Sequence, residues 1–368
     1  MTTYAQSGVH IELGNQASKL LYEAAKKTWQ CRQGKLGEVI VPVDDFSGIK
    51  YIRADHLPNG TVWFANADGI GTKIEVAERM QRYETLAFDL IEMVVEDAVI
   101  RGGEPVAVVS ILDVNTISEL SSIKQIAQGY TKAGLAANVA IINGELAELG
   151  SRISGYGSFN VNWGAFCVWF ANEQRLLTGK EVQPGDYLVG LRERGFRSNG
   201  LSLVRKILSD EHGDQWHTRI RNNGQLGEQV LAPSVSYCTA IVDMLGGYDL
   251  ERIPRAEVHG IAHITGGGLP EKLGRMLRPS GHGAVIDNPF DPPSIMLYCQ
   301  ELGKVNDTAA YTTWNMGQGM VIATPHPKQA GDVAREYGLT AKVIGYVTYE
   351  QGIHITSAGM EGKTLFFT

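Results

Sequence analysis

The segment that combines the most kinds of functional group is a glycine-containing loop in the first quarter of the chain. It reads Asp68-Gly69-Ile70-Gly71-Thr72-Lys73. It follows a strand-like run and supplies an acid, two glycines, a hydroxyl and an amine. Backbone N–H groups at such glycines suit phosphate oxygens, the Lys73 ammonium suits phosphate charge, and the Asp68 carboxylate suits Mg²⁺. The GxxxxGK[ST] spacing of a Walker A loop is absent from the sequence, and taken alone the segment is equally well explained as a β-turn.

Acids further along the chain are candidate partners for Asp68 in binding a metal. Glu92, Glu96 and Asp97 lie in an apolar run with helical periodicity, and we select Asp97 as the candidate ligand. Glu145 follows the apolar run AII, so we expect it just past a strand end, where sites in α/β proteins are assembled. Oxygen ligands of this kind suit Mg²⁺. For an acid considered alone, a solvated helix face is the commoner explanation.

Two segments in the second half combine glycines with polar side chains. Arg197-Ser198-Asn199-Gly200 opens an expected helix, with Ser198 or Asn199 as its N-cap, and a helix start is also an anion site. Thr265-Gly266-Gly267-Gly268 follows an apolar strand, and its backbone amides could bind phosphate. His263 precedes this turn as a candidate catalytic residue, although a satisfied core histidine is the more frequent situation for a lone His.

Composition excludes several classes of function. The formal charge is -7, from 33 Lys and Arg against 40 Asp and Glu, which gives no general affinity for nucleic acid or anionic membranes. The four cysteines show no CxxC pair, so neither a zinc knuckle nor a disulfide framework is indicated. No leader-like start and no apolar run of about 18 residues are visible in the sequence. We therefore expect a cytoplasmic protein that binds neither membranes nor nucleic acid.

Strand-like and helix-like runs alternate along the chain, which predicts an α/β (α+β layered) architecture. A polar, turn-rich stretch at 178–185 separates two apolar strand runs, so we place a domain boundary near 175–185. Helices are expected at 16–28, 85–101, 118–133 and 228–245. Strands are expected at 39–43, 49–52, 61–66, 106–112, 139–142, 161–170, 186–191, 318–324, 341–347 and 352–356.

Six segments in chain order resemble the motifs of the aminoimidazole ribonucleotide synthetase family, also called phosphoribosylformylglycinamidine cyclo-ligases. They are ADGIGTK, DLIEMVVEDAVIRGGEP, NGELAE, SNGLSLVRKI, AHITGGGLPE and NMGQGM. The N-terminal GVHIELGN and the final strand region also fit, so the resemblance covers nearly the whole chain.

The resemblance implies a two-domain subunit with an ATP/Mg²⁺-binding and dimerisation domain at 1–175 and a synthetase-like domain at 176–368. It also implies a homodimer whose N-terminal domains pair into a shared β-barrel. The implied reaction converts formylglycinamidine ribonucleotide, a phosphoribosyl substrate, with ATP and Mg²⁺ into aminoimidazole ribonucleotide, ADP and phosphate in purine biosynthesis.

The resemblance also implies roles for individual residues. Asp68, Asp97 and Glu145 would bind Mg²⁺ with ATP, and Gly69, Gly71 and Thr72 would contact the nucleotide. Lys73 would contact phosphate and is a candidate catalytic residue. On the substrate side would lie the catalytic candidate His263 together with the binding residues Arg197, Ser198, Asn199, Gly266, Gly267 and Gly268.

The sequence departs from the family pattern at several positions that the resemblance assigns to ligand contacts. The usual glycine-rich stretch reads GKLGEVIVPVDDFSG at 34–48, and the substituted positions are Tyr22, Glu96, Leu146, Arg197 and Lys272. Two alternatives therefore stay open. One is an enzyme of the wider superfamily, which includes selenophosphate synthetase and thiamine-monophosphate kinase, that acts on another substrate; the other is an inactive nucleotide-binding homologue.

Overall fold

The structure, a computed structural model, describes residues 11–42 and 48–368. Residues 8–10 of the GVHIELGN motif and residues 43–47 of the segment 34–48 lie outside the described residues. The chain forms two compact units. The first comprises described residues up to 57 together with Trp63–Ala98 and Pro105–Phe170, and the second comprises Pro58–Val62, Val99–Glu104 and Ala171–Thr368. The last segment of the first unit ends at Phe170, five residues before the expected boundary at 175–185. Two short segments from earlier in the chain also belong to the second unit.

A four-stranded sheet is the centre of the first unit, in the order β3-β6-β4-β5. β4 and β5 run parallel, with Ser110 opposite Gly144 and Leu112 opposite Leu146. The two short strands β1 and β2 form a separate antiparallel pair. The strand bounds are β1 Val39–Ile40, β2 Tyr51–Ile52, β3 Thr61–Gly69, β4 Glu104–Val114, β5 Ala140–Glu148 and β6 Val161–Asn172.

Side-chain alternation along β6 separates the two faces of this sheet. Trp163, Ala165 and Cys167 are buried, whereas the intervening Phe166 is 45% exposed. The unit's helices are α1 Ile11–Lys26, α2 Lys73–Met80, α3 Leu86–Val99 and α4 Ser121–Ala136. α1 packs on α4 and β5, and the apolar residues of α3 are almost completely buried. Burial of the odd-numbered β6 side chains and of α3 forms the core by removing apolar surface from water.

The second unit is built on a seven-stranded mixed sheet, in the order β10-β12-β7-β13-β11-β14-β15. Its neighbours pair antiparallel except β11 and β14, which are parallel. The strands are β7 Tyr187–Arg192, β10 Gly260–His263, β11 Gly283–Ile286, β12 Gln318–Thr324, β13 Ala341–Thr348, β14 Ile353–Thr356 and β15 Thr364–Phe367, with a separate hairpin of β8 Ile220–Arg221 and β9 Gly224–Gln225.

Seven α-helices belong to the described second unit. They are α5 Leu201–His212, α6 Leu226–Val230, α7 Cys238–Leu245, α8 Gly268–Leu277, α9 Ser294–Leu302, α10 Asp307–Thr313 and α11 Pro327–Glu336. The single helix expected at 228–245 is wrong, because Pro233 lies between α6 and α7 and a helix interior does not accommodate proline. The layered α/β architecture expected from the sequence is confirmed.

Three local expectations at motif positions are also wrong. The strand expected at 139–142 continues to Glu148, since β4 offers it a parallel partner through Val114. The presumed loop 67–73 includes strand residues up to Gly69 and the first residue of α2, Lys73. The N-cap of α5 is Gly200, with φ +72°, instead of Ser198 or Asn199. In the part of the chain that the structure describes, no helix has the length and apolarity needed to cross a membrane.

Candidate functional site

The loop between β3 and α2 presents the first group of candidate residues. Asp68 is exposed at the end of β3, and its Oδ1 accepts a hydrogen bond of 2.6 Å from the backbone N–H of Gly69. Gly71 has φ +70°, a conformation that glycine adopts without steric cost. Gly71 and Thr72 are also exposed. The carboxylate of Asp68 is thus accessible to a ligand in solution.

Lys73 differs from its neighbours because its side chain is fully buried. Its Nζ lies 2.8 Å from Oδ1 of Asp89 on α3, and neither side chain has measurable exposure. A buried ammonium needs a charged partner, and Asp89 supplies it. The Lys73 side chain is thus enclosed by the protein, and its contact with phosphate stays a prediction.

The three acids proposed as metal ligands all lie in the first unit. Asp97 on α3 is exposed, whereas its helix neighbours Glu92 and Glu96 are buried. Glu145 is exposed within β5, so the expectation that it follows a strand end is wrong. Among residues 11–42 and 48–368, no group of three or more His, Cys, Asp or Glu side chains is close enough to hold a metal ion. Any Mg²⁺ bound here needs further oxygen ligands.

A cavity of about 260 Å³ lies beside Glu145 in the first unit. Trp163 on β6 borders it, and the buried indole Nε1 has no hydrogen-bond partner among the described residues. Tyr130 and Ser110 share a 2.6 Å hydrogen bond on the same cavity, and burial raises the pKa of Tyr130 despite that bond. Lys50, whose Nζ lies 5.6 Å from the ring centroid of Tyr22, also lines it. The cavity thus combines aromatic surfaces with an acid and an amine.

In the second unit, the Ser198-Asn199-Gly200 loop and the Thr265-Gly268 turn approach each other. A Cβ placed on Gly266 would lie 3.4 Å from Oδ1 of Asn199. Oγ of Ser198 and Nδ2 of Asn199 are buried atoms without a hydrogen-bond partner in the described parts of the chain. α5 begins directly after this loop and α8 within the turn. The region therefore offers two helix N-termini together with polar atoms that can bind an anion.

The turn has room only for glycine at its last position. Gly268 has φ +64°, and a Cβ there would lie 1.9 Å from the carbonyl oxygen of Tyr311. Gly267 has φ +87° and is the N-cap of α8. Gly266 is exposed, in contrast to the buried Gly268. The glycine motif seen in the sequence thus has both a packing role at Gly268 and an accessible backbone at Gly266.

Arg197 and His263, which were both expected near the substrate, are buried in the interior of the second unit. Arg197 is fully buried, and its Nη1 donates a 2.8 Å hydrogen bond to Oε2 of Glu193, which is buried as well. Nη2 of Arg197 lies 3.1 Å from Nε2 of His263, which is 2% exposed. The guanidinium is thus held by the protein itself.

The sequence pattern alone did not identify Asp89, Glu193 or Trp163 as contributors. A signal existed for Asp89, since an acid among the apolar residues at the start of a helix requires a buried partner. For Glu193, the relevant signal is its separation of four residues from Arg197. No sequence feature indicated that Trp163 would border a cavity, because that depends on the packing of α1, α4, β4, β5 and β6.

Comparison with known protein families assigns each half of the chain to a domain of one family. Residues 50–168 match the family model for the AIR synthase related protein, N-terminal domain, and residues 183–357 match the model for its C-terminal domain. The chain belongs to the AIR synthase family. The family resemblance expected from the six motifs is therefore confirmed.

Full-length relatives of this AIR synthase family member have similar sizes. It is 33% identical to the phosphoribosylformylglycinamidine cyclo-ligase of Bacillus cereus (strain AH820), with coverage of 98% of the chain and 99% of the relative. The corresponding protein of Picosynechococcus sp. (strain ATCC 27264 / PCC 7002 / PR-6) is 32% identical, with coverage of 95% and 98%. The match is thus end to end.

Solved structures share the fold of this AIR synthase family member at low sequence identity. E. coli HypE superposes with a TM-score of 0.61 at 15% identity and 96% coverage of both chains. Thiamine-monophosphate kinase from Stenotrophomonas maltophilia K279a gives a TM-score of 0.60 at 15% identity, with coverage of 90% and 95%. T. maritima PurL complexed with FGAR gives 0.53 at 16% identity, over 91% of this chain and 48% of that one.

Proposed function

We propose that this AIR synthase family member catalyses the ATP-dependent cyclisation of formylglycinamidine ribonucleotide to aminoimidazole ribonucleotide, in purine biosynthesis. The observation that carries the proposal is the end-to-end match to curated cyclo-ligases at 32–33% identity. Both family domains are present in this chain, the N-terminal one at 50–168 and the C-terminal one at 183–357. A cytoplasmic location stays a prediction from composition.

In this reaction the formyl oxygen of the substrate attacks the γ-phosphorus of ATP, and ADP leaves. The neighbouring amidine nitrogen then attacks the activated carbon, closing a five-membered ring. The carbon–oxygen bond breaks, inorganic phosphate departs with the former formyl oxygen, and a proton is released. Binding that holds nitrogen and carbon together lowers the entropic part of the barrier.

We assign the phosphoribosyl substrate to the facing loops of the second unit. The support is the approach of Asn199 to Gly266 and the buried polar atoms of Ser198 and Asn199. Backbone N–H groups at the starts of α5 and α8 suit a phosphate dianion. Arg197, expected to contact that phosphate, instead lies buried against Glu193, so we assign it no direct contact.

We assign Mg²⁺ and the nucleotide to the first unit. The exposed carboxylates of Asp68, Asp97 and Glu145 fit a hard cation that prefers oxygen. The exposed Gly71 and Thr72, together with the half-buried Gly69, fit phosphate. Because these acids form no closed cage, phosphate oxygens and water would complete the coordination, as is usual for Mg²⁺ with nucleotides. The cavity beside Glu145 is smaller than most ligand pockets, so it suits only part of a nucleotide.

We also propose a homodimer formed through the open face of the four-stranded sheet. Trp63, Ile111 and Phe166 are 68%, 44% and 45% exposed on β3, β4 and β6. Large apolar side chains gathered on a regular sheet indicate a protein interface. A second copy of the same sheet is the partner that closes such strands into a barrel without free edges.

The deciding experiment incubates the purified protein with ATP, Mg²⁺ and formylglycinamidine ribonucleotide, and quantifies aminoimidazole ribonucleotide, ADP and phosphate. Equal amounts of the three products are expected. Absence of the aminoimidazole under conditions that support a known cyclo-ligase would refute the proposal. Magnesium-dependent ATP binding without turnover would then favour another substrate, whereas absence of nucleotide binding would favour an inactive homologue.

A further inference from the structure

The contact between Arg197 and His263 connects residues just before the two loops assigned to the substrate. Arg197 immediately precedes Ser198, and His263 ends β10 two residues before Thr265. The separation of Nη2 and Nε2 is 3.1 Å, and both residues are almost completely buried. The contact therefore connects the residue before Ser198 with the strand that leads into the Thr265–Gly268 turn.

The chemistry of the pair fixes the direction of the hydrogen bond. A guanidinium has five N–H donors and no acceptor, so Nε2 of His263 must accept the bond from Arg197. Its ring proton then resides on Nδ1, and the imidazole is neutral. An imidazolium at this position would direct a second donor and a second positive charge at the guanidinium, in an interior where such repulsion is poorly screened.

Glu193 and its neighbours hold the guanidinium in place from the other side. Oε2 of Glu193 accepts bonds from Arg197 Nη1 at 2.8 Å, from the Tyr237 hydroxyl at 3.3 Å and from the Val235 N–H at 3.3 Å. Nη1 also donates to the Val235 carbonyl at 3.2 Å. The Arg197 guanidinium carbon lies 5.5 Å from the Tyr237 ring centroid, a cation–π distance. The charge is thus paired and its orientation is fixed.

The backbone at Arg197 supports the same conclusion. Its φ is +55°, in the left-handed region that L-residues with long side chains rarely occupy. Such a conformation persists when surrounding contacts determine it, and the buried contacts of the guanidinium supply them. The conformation turns the chain after β7 and directs Ser198 and Asn199 toward the glycine turn.

We propose that Arg197 and His263 are positioning residues: Arg197 donates to a neutral, Nδ1-protonated His263, and their contact sets the separation of the Ser198–Gly200 loop and the Thr265–Gly268 turn. The predicted effect on catalysis rests on the function proposed above, whereas the predicted tautomer of His263 does not. It reassigns His263, which the sequence suggested as a catalytic residue, from proton transfer to acceptance of a hydrogen bond through Nε2.

The tautomer is tested in the protein itself, without substrate. Two-bond ¹H–¹⁵N spectra of the protein labelled at its nine histidines distinguish Nδ1–H, Nε2–H and imidazolium forms, and the His263 signal is the one that H263Q removes. The expected form is Nδ1–H. A His263 signal of the Nε2–H or imidazolium type would overturn the proposal even if the enzyme proves fully active.

Steady-state kinetics tests the positioning role. The glutamine introduced by H263Q retains an acceptor oxygen near the position of Nε2, so kcat should fall less than about tenfold and KM for the ribonucleotide should rise modestly. Loss of a general base would instead lower kcat by about 10²–10⁴-fold, and that outcome would overturn the proposal. H263L, which removes the acceptor, should raise KM more than H263Q does.

Removing the guanidinium requires a charge-matched variant, because R197M alone leaves Glu193 charged and buried. The double variant R197M/E193Q removes both charges and should fold, as judged by its denaturation midpoint. It should lose the Nδ1–H preference of His263 and raise KM for the ribonucleotide at least tenfold while Mg²⁺–ATP affinity is unchanged. Retention of both the tautomer and KM in the folded double variant would show that Arg197 does not position His263.

Discussion

Nζ of Lys73 lies 2.8 Å from Oδ1 of Asp89, and this ion pair is completely enclosed by the first unit. It joins the first residue of α2 to the first turn of α3. The lysine of the glycine loop, which the sequence suggested as a phosphate ligand, is therefore part of the packed interior. Breaking such a pair leaves an uncompensated buried charge.

We expect K73M to destabilise the protein by about 3–5 kcal/mol, the usual cost of removing one partner of a buried pair. The double variant K73M/D89L should recover much of the loss, because neither member of the pair remains as a buried charge without its partner. Urea denaturation of the three proteins measures the difference. If K73M unfolded at the wild-type urea concentration but lost ATP affinity, the lysine would instead be a phosphate ligand.

We expect D68N to weaken magnesium-dependent ATP binding about tenfold, a change of ~1.4 kcal/mol, without a change in unfolding midpoint. Asp68 is exposed, so its charge contributes little to folding. Isothermal titration calorimetry with ATP and Mg²⁺ measures the affinity. D55N, at another exposed acid of the first unit, serves as the control and should bind like the wild type. Unchanged affinity in D68N would remove Asp68 from the ligand set.

We expect F166E to shift the protein from dimer to monomer, because a charge on the open sheet face would be buried against the second copy. Sedimentation equilibrium measures the association. The matched control is I253E, which changes an equally apolar side chain, 87% exposed, in the second unit. A dimer of unaltered strength in F166E, or a monomeric wild type, would exclude this sheet face as the interface.

We expect G268A to destabilise the protein by about 3 kcal/mol or more, since the added Cβ meets the Tyr311 carbonyl and the backbone is left-handed. Gly338 has a similar φ of +71° with no atom within 4 Å of a Cβ, so G338A should lose only the conformational term, about 1 kcal/mol. The difference between the two denaturation curves isolates the steric contribution. Equal losses would mean that the turn relaxes around the new methyl group.

We expect a pH-dependent contribution to stability from His259. Burial of its ring disfavours the charged form, but hydrogen bonds to Asp186 and Glu257 outweigh this and raise the pKa of His259 above its usual 6.5. Because the folded-state pKa is the higher one, the stabilisation is complete below pH 6.5 and is lost as pH rises through the folded-state pKa.

The measurement for His259 compares the free energies of unfolding of wild type and H259Q between about pH 5.5 and 8.5. The wild type should exceed H259Q most at the acidic end, and the difference should shrink toward the alkaline end. Parallel curves over the whole range would show that the His259–Asp186 contact does not favour the charged ring.

The sequence predicted elements whose pattern is local and missed those that depend on distant partners. The apolar periodicity of α3 and the strand-like run of β4 gave elements close to their observed bounds. Glu145 was expected in a loop because Asn143 and Gly144 interrupt the apolar run, but pairing with β4 extends the strand through both. A parallel partner more than thirty positions away leaves no trace in the local pattern.

The same distinction applies to the candidate site. Gly71, Gly200 and Gly268 of the glycine motifs all have positive φ, a backbone requirement that is encoded at the residue itself. The burial of Lys73 and Arg197 was not predicted, because it depends on the carboxylates of Asp89 and Glu193, and charge alone suggests exposure. Charged side chains that a sequence suggests as catalytic can thus instead form ion pairs with buried carboxylates in the protein interior.

Three separate segments of the chain contribute to the second unit. Neither unit can therefore be inherited or exchanged as one continuous piece of sequence. A fragment starting at Ala171 would lack Glu104, a nearly buried carboxylate whose Oε2 lies 2.8 Å from the guanidinium of Arg252. It would also lack Gly102, which fits tightly against the carbonyl of Arg175. One recombination crossover therefore cannot transfer a whole unit to another gene, and descendants of this architecture are expected to retain or lose both halves together.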